Sequence, residues 1–399
     1  METQNQPVIV ASCRTAIGTA FRGSLTETSA FDLAEVVVAE SLRRSGLEAA
    51  DIDDVVLAEA LYGGGVIGRH AAVTAGIPTV PGLAVNRHCA ASLAAVQVAA
   101  AGIAAGMDSA IIAGGVSSIS TGPRSTWRKP GTADTKEGWI SPSHPDSPEA
   151  PNLDMSITVG WNAAQRAGVT REEMDAWAVR SHQRAVASID RGDFVDEIVP
   201  MEILRGDGER VTWQVDEHPR RDSSIEKLAS LRPLHPEIEG FSITAGNSSG
   251  IHDGAAALVV ASRRLADERG LAPLATIRSW ASVGVEPAET GLAPIRAIPK
   301  ALERAGLTVA DVSLFEINEA FASVCVATSR ELGIDEEIVN VNGSGCSLGH
   351  PVAATGARMV VTLANELRRR GGGIGVAAMC AGGGMGSATV VEVPPPVSA

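Results

Sequence analysis

Residues 31–60 read FDLAEVVVAESLRRSGLEAADIDDVVLAEA, and residues 295–320 read IRAIPKALERAGLTVADVSLFEINEA. At a constant offset of 260, Gly46, Leu47, Ala50, Asp51, Glu59 and Ala60 fall on Gly306, Leu307, Ala310, Asp311, Glu319 and Ala320. Each copy predicts a helix, a short turn and a buried strand. A second echo follows in the same order. Val85–Asn86 returns as Val341–Asn342, and each pair leads through a cysteine or glycine turn into a helix and then an apolar strand ending in glycines, AIIAGG (110–115) and GVAAMCAGGG (375–384). Two echoes in one order predict a duplicated α/β chain, with two similar βαβ halves and mixed, mostly parallel sheets.

Between the halves the texture changes. TGPRSTWRKPGTADTKEGWISPSHPDSPEAP (121–151) is rich in Pro, Ser and charge and reads as irregular surface. A helix follows in REEMDAWAVRSHQRAVASIDRG, then a polar stretch through DEHPRRDSS. The expected organisation is therefore 1–118 with 245–270 as an N-terminal half, 119–244 as an inserted loop or cap domain, and 271–399 as a C-terminal half.

The bulk numbers narrow the function. A chain of 399 residues can bury two or three cores. Apolar residues make up 45% but aromatics only 3%, so those cores must be built from Ala, Val, Ile and Leu. A net charge of −14 argues against a nucleic-acid or anionic-membrane surface. A phosphate-bearing ligand must then be met by a local basic patch. Five cysteines without a CxxC pair or metal-like spacing point to a reducing compartment and to no metal. No leader pattern precedes PVIVAS (7–12) and no apolar run reaches membrane length, so the expected address is cytoplasmic, with no membrane partner.

In open α/β sheets ligands gather at the carboxyl ends of the strands. At those ends stand NRHCAAS with Cys89, INEAF with Asn318 and Glu319, NGSGCSLGHP with His350, and MCAGGGMG with Cys380 and Gly382. Cys89 lies at or near a helix start, where a thiol can be held partly as thiolate. Pro351 suits the first position of a helix, so a pseudo-twofold axis would make the Cys89 and His350 turns face each other. A thiol nucleophile, an imidazole base, amide donors and a second thiol as acid/base are the groups that acyl transfer needs.

NEAF (318–321), LGHP (348–351), CAGGG (380–384), TAGNSSGIHDGAAA (244–257) and LRP (231–233) occur in the order and spacing of one family. The chain resembles the thiolases, acyltransferases that act on acetyl-CoA and acyl-CoA, over nearly its whole length. The resemblance implies a duplicated thiolase-like fold and an enzyme of fatty acid and lipid metabolism. Coenzyme A or acetyl-CoA would be its substrate, with no permanently bound cofactor, and the chain would form a homodimer or homotetramer. It implies that Cys89 carries the acyl group, that His350 activates it, and that Cys380 moves the C2 proton of acetyl-CoA. Asn318 would hold a water that forms one oxyanion hole with His350, and the amides of Cys89 and Gly382 would form the other. Arg220, Ser249 and Met155 would contact the CoA or acyl portion.

The chain departs from the family pattern at Ala90–Ala91, expected to narrow the space beside Cys89, at Asp154 before Met155, and at Thr290 in place of a pocket methionine. Two other classes compete. GGGVIG (63–68) formally matches a dinucleotide fingerprint, but no Asp or Glu occurs between Glu59 and Asp108 to take the ribose of an NAD-dependent dehydrogenase. A non-catalytic acyl-CoA-binding scaffold would not need all four catalytic residue types. His70 and His88 read as packing or surface residues, Cys13, Cys325 and Cys346 as packing, and Glu319 as an orienting group.

Overall fold

The computed structural model describes residues 3–60, 66–138, 141–205 and 208–395. Both copies of the repeat fold alike. The helices Ala30–Ser45 and Ala293–Ala305 end on Gly46 and Gly306, each at φ 69°, a left-handed cap that glycine adopts without a Cβ penalty. The single 3-10 turns Ala49–Asp51 and Val309–Asp311 follow. In each the aspartate accepts a backbone N–H three residues back, from Glu48 at 3.0 Å and from Thr308 at 2.7 Å. The strands Asp54–Ala58 and Leu314–Ile317 come next. The residues matched in the repeat are thus helix stops and turn locks.

The strand order is Leu314–Ile317, Gly373–Ala381, Met385–Val393, Ala275–Gly284, Pro7–Arg14, His252–Ser262, Ala110–Ser117, Asp54–Ala58, Gly82–Val85, with Gly18–Thr19 pairing to His252–Asp253 off this path. Within the described sheet the halves pair where Val8 and Ile9 meet Thr276 and Ala275. The sheet is mixed. Parallel pairing is confined to the outer strands of each half, and the strands between pair antiparallel. The parallel share is smaller than βαβ halves alone imply, because each half adds an antiparallel return strand. In the C-terminal half that return crosses the short turn at Gly382–Gly384. In the N-terminal half the same connection, from Ser117 to His252, carries the whole excursion. It therefore leaves the sheet at the end where the site lies. The excursion includes the hairpins Thr126–Arg128/Thr135–Glu137 and Met201–Leu204/Arg210–Trp213 and the helix Arg171–Arg191.

Strand alternation assigns the layers. Val8, Val55, Leu57, Ile112 and Val259 face an outer core with the Ala30–Ser45 and Ile67–Thr74 helices, whereas Ile9, Val56, Ile111, Leu258 and Val260 face a central one. In the other half Phe315, Ile317, Val376 and Val390 look outward, and Leu314, Ala377, Met379 and Val391 look to the centre. Two helices fill that centre, Ala91–Ala104 and Thr355–Arg369. Ten residues of the first are buried, so both faces of a thin, alanine-rich helix are covered. The two helices touch at their starts. A Cβ at Gly356 would lie 2.5 Å from Leu93 N and 3.0 Å from its Cα, and Ser92 Oγ accepts the Ala357 N–H at 3.0 Å.

This contact yields a stability prediction. The atoms opposing Gly356 are backbone and cannot rotate away, so Gly356→Ala should destabilise the protein by about 1–3 kcal/mol. Gly284→Ala, where nothing lies within 4 Å, should change stability by less than about 0.5 kcal/mol. Denaturant midpoints for the two variants measure the difference.

Candidate active site

The strand Gly82–Val85 ends in a tight turn. Asn86 Oδ1 accepts the His88 N–H at 2.8 Å, its Nδ2 donates to Ala60 O at 3.2 Å, and His88 sits in the left-handed region at φ 46°. Cys89 follows, two residues before the central helix Ala91–Ala104. Its sulfur accepts the Gly382 N–H, and burial pushes the thiol above its ordinary value. Against the expectation of a thiol held partly as thiolate at this turn, packing against the apolar central core opposes ionisation more than the amide donors favour it.

Cys380 is 2% exposed near the end of the strand Gly373–Ala381. Burial raises its thiol, and negative charge on nearby Cys89 would raise it further, so the two sulfurs are electrostatic neighbours. Asn318 follows the strand Leu314–Ile317, and its N–H donates to Ala378 O at 3.0 Å, which seats it beside the Cys380 strand.

Asn318 Nδ2 lies 3.5 Å from His350 Nε2. His350 Nδ1 is 2.6 Å from Thr355 Oγ1, whose own proton goes to Pro351 O at 2.9 Å. The hydroxyl must accept, so Nδ1 carries the imidazole proton and Nε2 presents a lone pair. Burial, with the Arg358 charge, lowers the His350 pKa to about 3, so the ring rests neutral. Pro351 does not open the helix. It stands ahead of a turn, and the helix starts at Thr355.

Glu319 is fully buried. Its carboxylate accepts from Trp177 Nε1 and Asn340 Nδ2, both at 2.9 Å, from Ser181 Oγ at 2.6 Å and from the Cys346 N–H at 3.1 Å. It thereby ties the NEAF turn, the cap helix and the GSGCSLGH loop together. Cys346 and Cys325 are buried, their thiols donating weakly to Glu319 O and Ile317 O, and Cys13 donates to Val37 O.

The expected CoA-side residues distribute differently. Ser249 lies against the NEAF turn, its N–H donating to Ala320 O at 2.9 Å. Met155 Sδ is 3.7 Å from where a Gly382 Cβ would stand, and the His88 ring is 3.9 Å from the same point, so these two side chains flank the glycine turn. Arg220 is exposed, and its backbone N–H donates to His182 Nδ1 at 3.1 Å. The departures prove mostly structural. Thr290 is buried and accepts the Gly384 N–H at 2.9 Å, holding the glycine turn rather than lining an open pocket. Ala90 packs into the central core and Ala91 against Ala58 and Ala353, so they fill the space between the halves. Asp154 caps Ser156 and pairs with His235 Nε2 at 2.8 Å. Of the glycine run, Gly63, Gly64 and Gly65 lie outside the described residues.

Residues 7–264 match the thiolase N-terminal domain family, and residues 271–393 match the thiolase C-terminal domain family. The chain belongs to the thiolase family. It is 41% identical to a 3-ketoacyl-CoA thiolase of Bacillus subtilis, over 97% of this chain and 99% of that one. It is 40% identical to an acetyl-CoA acetyltransferase of Escherichia coli, over 96% and 98%. Among solved structures it is similar to the acetyl-CoA acetyltransferase of Bacillus anthracis, with a TM-score of 0.89, 37% identity and coverage of 98% and 100%. It is also similar to human mitochondrial 3-ketoacyl-CoA thiolase, with a TM-score of 0.88, 33% identity and coverage of 98% and 99%. The chain is an acyltransferase of this family, and the dehydrogenase reading falls away. No described helix is long and apolar enough to cross a membrane.

Several residues of the site carry no sequence signal of their own. Thr355 fixes the His350 tautomer from five positions on, and Trp177 and Ser181 reach Glu319 from a helix remote in sequence. His88, read as a packing residue, borders the glycine turn.

A labelling prediction follows from the two neutral groups. Iodoacetamide should label Cys89 slowly at pH 7, at a rate that climbs through pH 9 without an earlier plateau. Peptide mass mapping across pH checks this, and a plateau between pH 6 and 7 would reveal a thiolate–imidazolium pair instead.

Proposed function

We propose that the protein transfers acyl groups between acyl-CoA and CoA through an acyl-Cys89 intermediate, cleaving 3-ketoacyl-CoA with CoA or condensing acetyl-CoA in reverse. The observation that carries this reading is the meeting of two thiols, a neutral imidazole and a side-chain amide at the strand ends shared by both halves. His350 Nε2 takes the Cys89 proton as the sulfur attacks the thioester carbonyl, and returns it to the departing CoA sulfur. Because burial disfavours both ions at rest, the negative charge is to develop on the carbonyl oxygen, where the Cys89 and Gly382 amides donate to it. Cys380 then passes its proton to His350 Nε2 and as thiolate removes a C2 proton from acetyl-CoA; the carbanion attacks the acyl-Cys89 carbonyl and expels the Cys89 thiolate, which takes the proton back from His350. While it holds that proton on Nε2, His350 donates to the enolate oxygen together with a water held by Asn318. The buried Asn318 Oδ1, which has no hydrogen-bond partner, supports that role.

The exposed Arg220, with Ser249 and Met155, is assigned to the CoA and acyl portion. We assign the chain three parts, 1–118 with 245–270, 119–244 and 271–399, and infer a cytoplasmic homodimer or homotetramer. The half-exposed outer strand Gly82–Val85 supports pairing between copies, and five free cysteines fit a reducing compartment.

The half-reactions separate the two cysteines. Cys89→Ala should abolish acyl-enzyme formation. Cys380→Ala should retain it, yet lose exchange of the acetyl methyl protons with deuterated solvent by about 10²–10⁴-fold, the usual worth of a general base. Mass spectrometry of the acyl-enzyme and NMR of the exchange, run on the same variant, read both. Exchange near the wild-type rate would remove Cys380 from the mechanism.

A further inference from the structure

His252 opens the strand His252–Ser262, is fully buried, and has no part in the chemistry above. Its Nδ1 accepts the His350 backbone N–H at 3.1 Å. The preceding Gly349, at φ 113°, lies flat on the ring: a Cβ there would meet Cδ2 at 2.7 Å and Cγ at 2.8 Å. The His218 ring stands edge-on to His252, with centroids 4.6 Å apart and planes at 81°, and His218 Nδ1 lies 2.8 Å from Ser347 O. Two imidazoles therefore grip the loop that ends in His350, one at the Ser347 carbonyl and one at the His350 amide.

Since His252 Nδ1 accepts, the ring is neutral and its proton is on Nε2. That Nε2 is buried without a hydrogen bond of normal geometry, having only an electrostatic contact with the Gly250 carbonyl. A poorly satisfied buried N–H is a liability, and a leucine of similar size would fill this space without one. The polar ring makes physical sense through what Nδ1 holds.

We propose that His252 is a positioning residue for His350: its Nδ1 and ring face fix the Gly349–His350 peptide, and so aim His350 Nε2 at the reacting groups. This rests on the thiolase reading of His350. His252→Leu removes the acceptor and keeps the bulk, whereas His252→Asn keeps an acceptor where Nδ1 stood. Misplacement on the 1 Å scale can lower rates by about 10²-fold, so His252→Leu should reduce kcat for CoA-dependent cleavage of acetoacetyl-CoA by about tenfold to a hundredfold with KM little changed. His252→Asn should recover most of that loss. Wild-type kcat in the leucine variant, or equal loss in both, overturns the proposal. Should the leucine variant not fold, His252→Ala against His252→Asn makes the same comparison, and equal loss again overturns it. A wild-type protein that does not cleave acetoacetyl-CoA would instead count against the thiolase reading. NMR of protein labelled with ¹⁵N-histidine then decides, by the His350 Nδ1–H resonance bonded to Thr355. It should move in the leucine variant and stay in the asparagine one, and its constancy in both would overturn the proposal.

Discussion

The close approach of two helix starts, where the Gly356 backbone meets that of Leu93, is the constraint on which the site depends. Each helix leaves from a turn that carries a reactive group, Cys89 on one side and His350 on the other. If those helices crossed a few ångströms further apart, as side chains larger than Ala and Gly would force, the two turns would separate. The near absence of aromatics is part of the same constraint. A central layer with one half of the sheet on either side can be this thin only if its helices present small residues.

Desolvated charges then fix the loops around that contact. Arg14, fully buried, gives its Nε to Glu197 at 2.6 Å and its two terminal nitrogens to Asp216 at 2.8 and 2.9 Å. Asp216 also takes the Ile17 N–H at 2.8 Å, so the segment leading to His218 and Arg220 is pinned to the first strand. Glu319, with its four donors, does the same for the turn that carries Asn318. Such pairs are weak sources of net stability, because removing charges from water opposes their attraction. They do penalise misplacement steeply, since a shifted loop would leave a buried ion unpaired, and a site that needs several loops in register uses that steepness.

How far the sequence foretold this follows from the range of each interaction. Gly46/Gly306 and Asp51/Asp311 act within a few residues, as helix caps and turn locks, and the repeat they form revealed the duplication. Cys89, Asn318, His350 and Cys380 stand at strand ends and were legible once the strands were. The roles of Thr290, Ala90 and Ala91 were not, because a family comparison marks where residues differ but not which way a side chain points. Thr290 turned out to face the Gly384 amide, and Ala91 the other half of the molecule. His252, Trp177 and Ser181 were silent for another reason. Their partners lie 98, 142 and 138 residues away in the chain, joined only by tertiary packing.

Burial gives the site its resting state. Water would stabilise a thiolate and an imidazolium ahead of the reaction, and the enzyme would then have to undo that solvation. Here burial raises the Cys89 thiol and lowers the His350 imidazole, so both groups wait uncharged. The fixed dipoles are already aimed: the Gly382 N–H at the sulfur, the Asn318 amide at Nε2, and the Thr355 hydroxyl holding Nδ1–H. An incoming thioester brings the polarisable carbonyl on which the charge can settle. In the proposed mechanism proton transfer becomes favourable once that carbonyl is in place, which would tie ionisation of the Cys89 thiol to the presence of substrate.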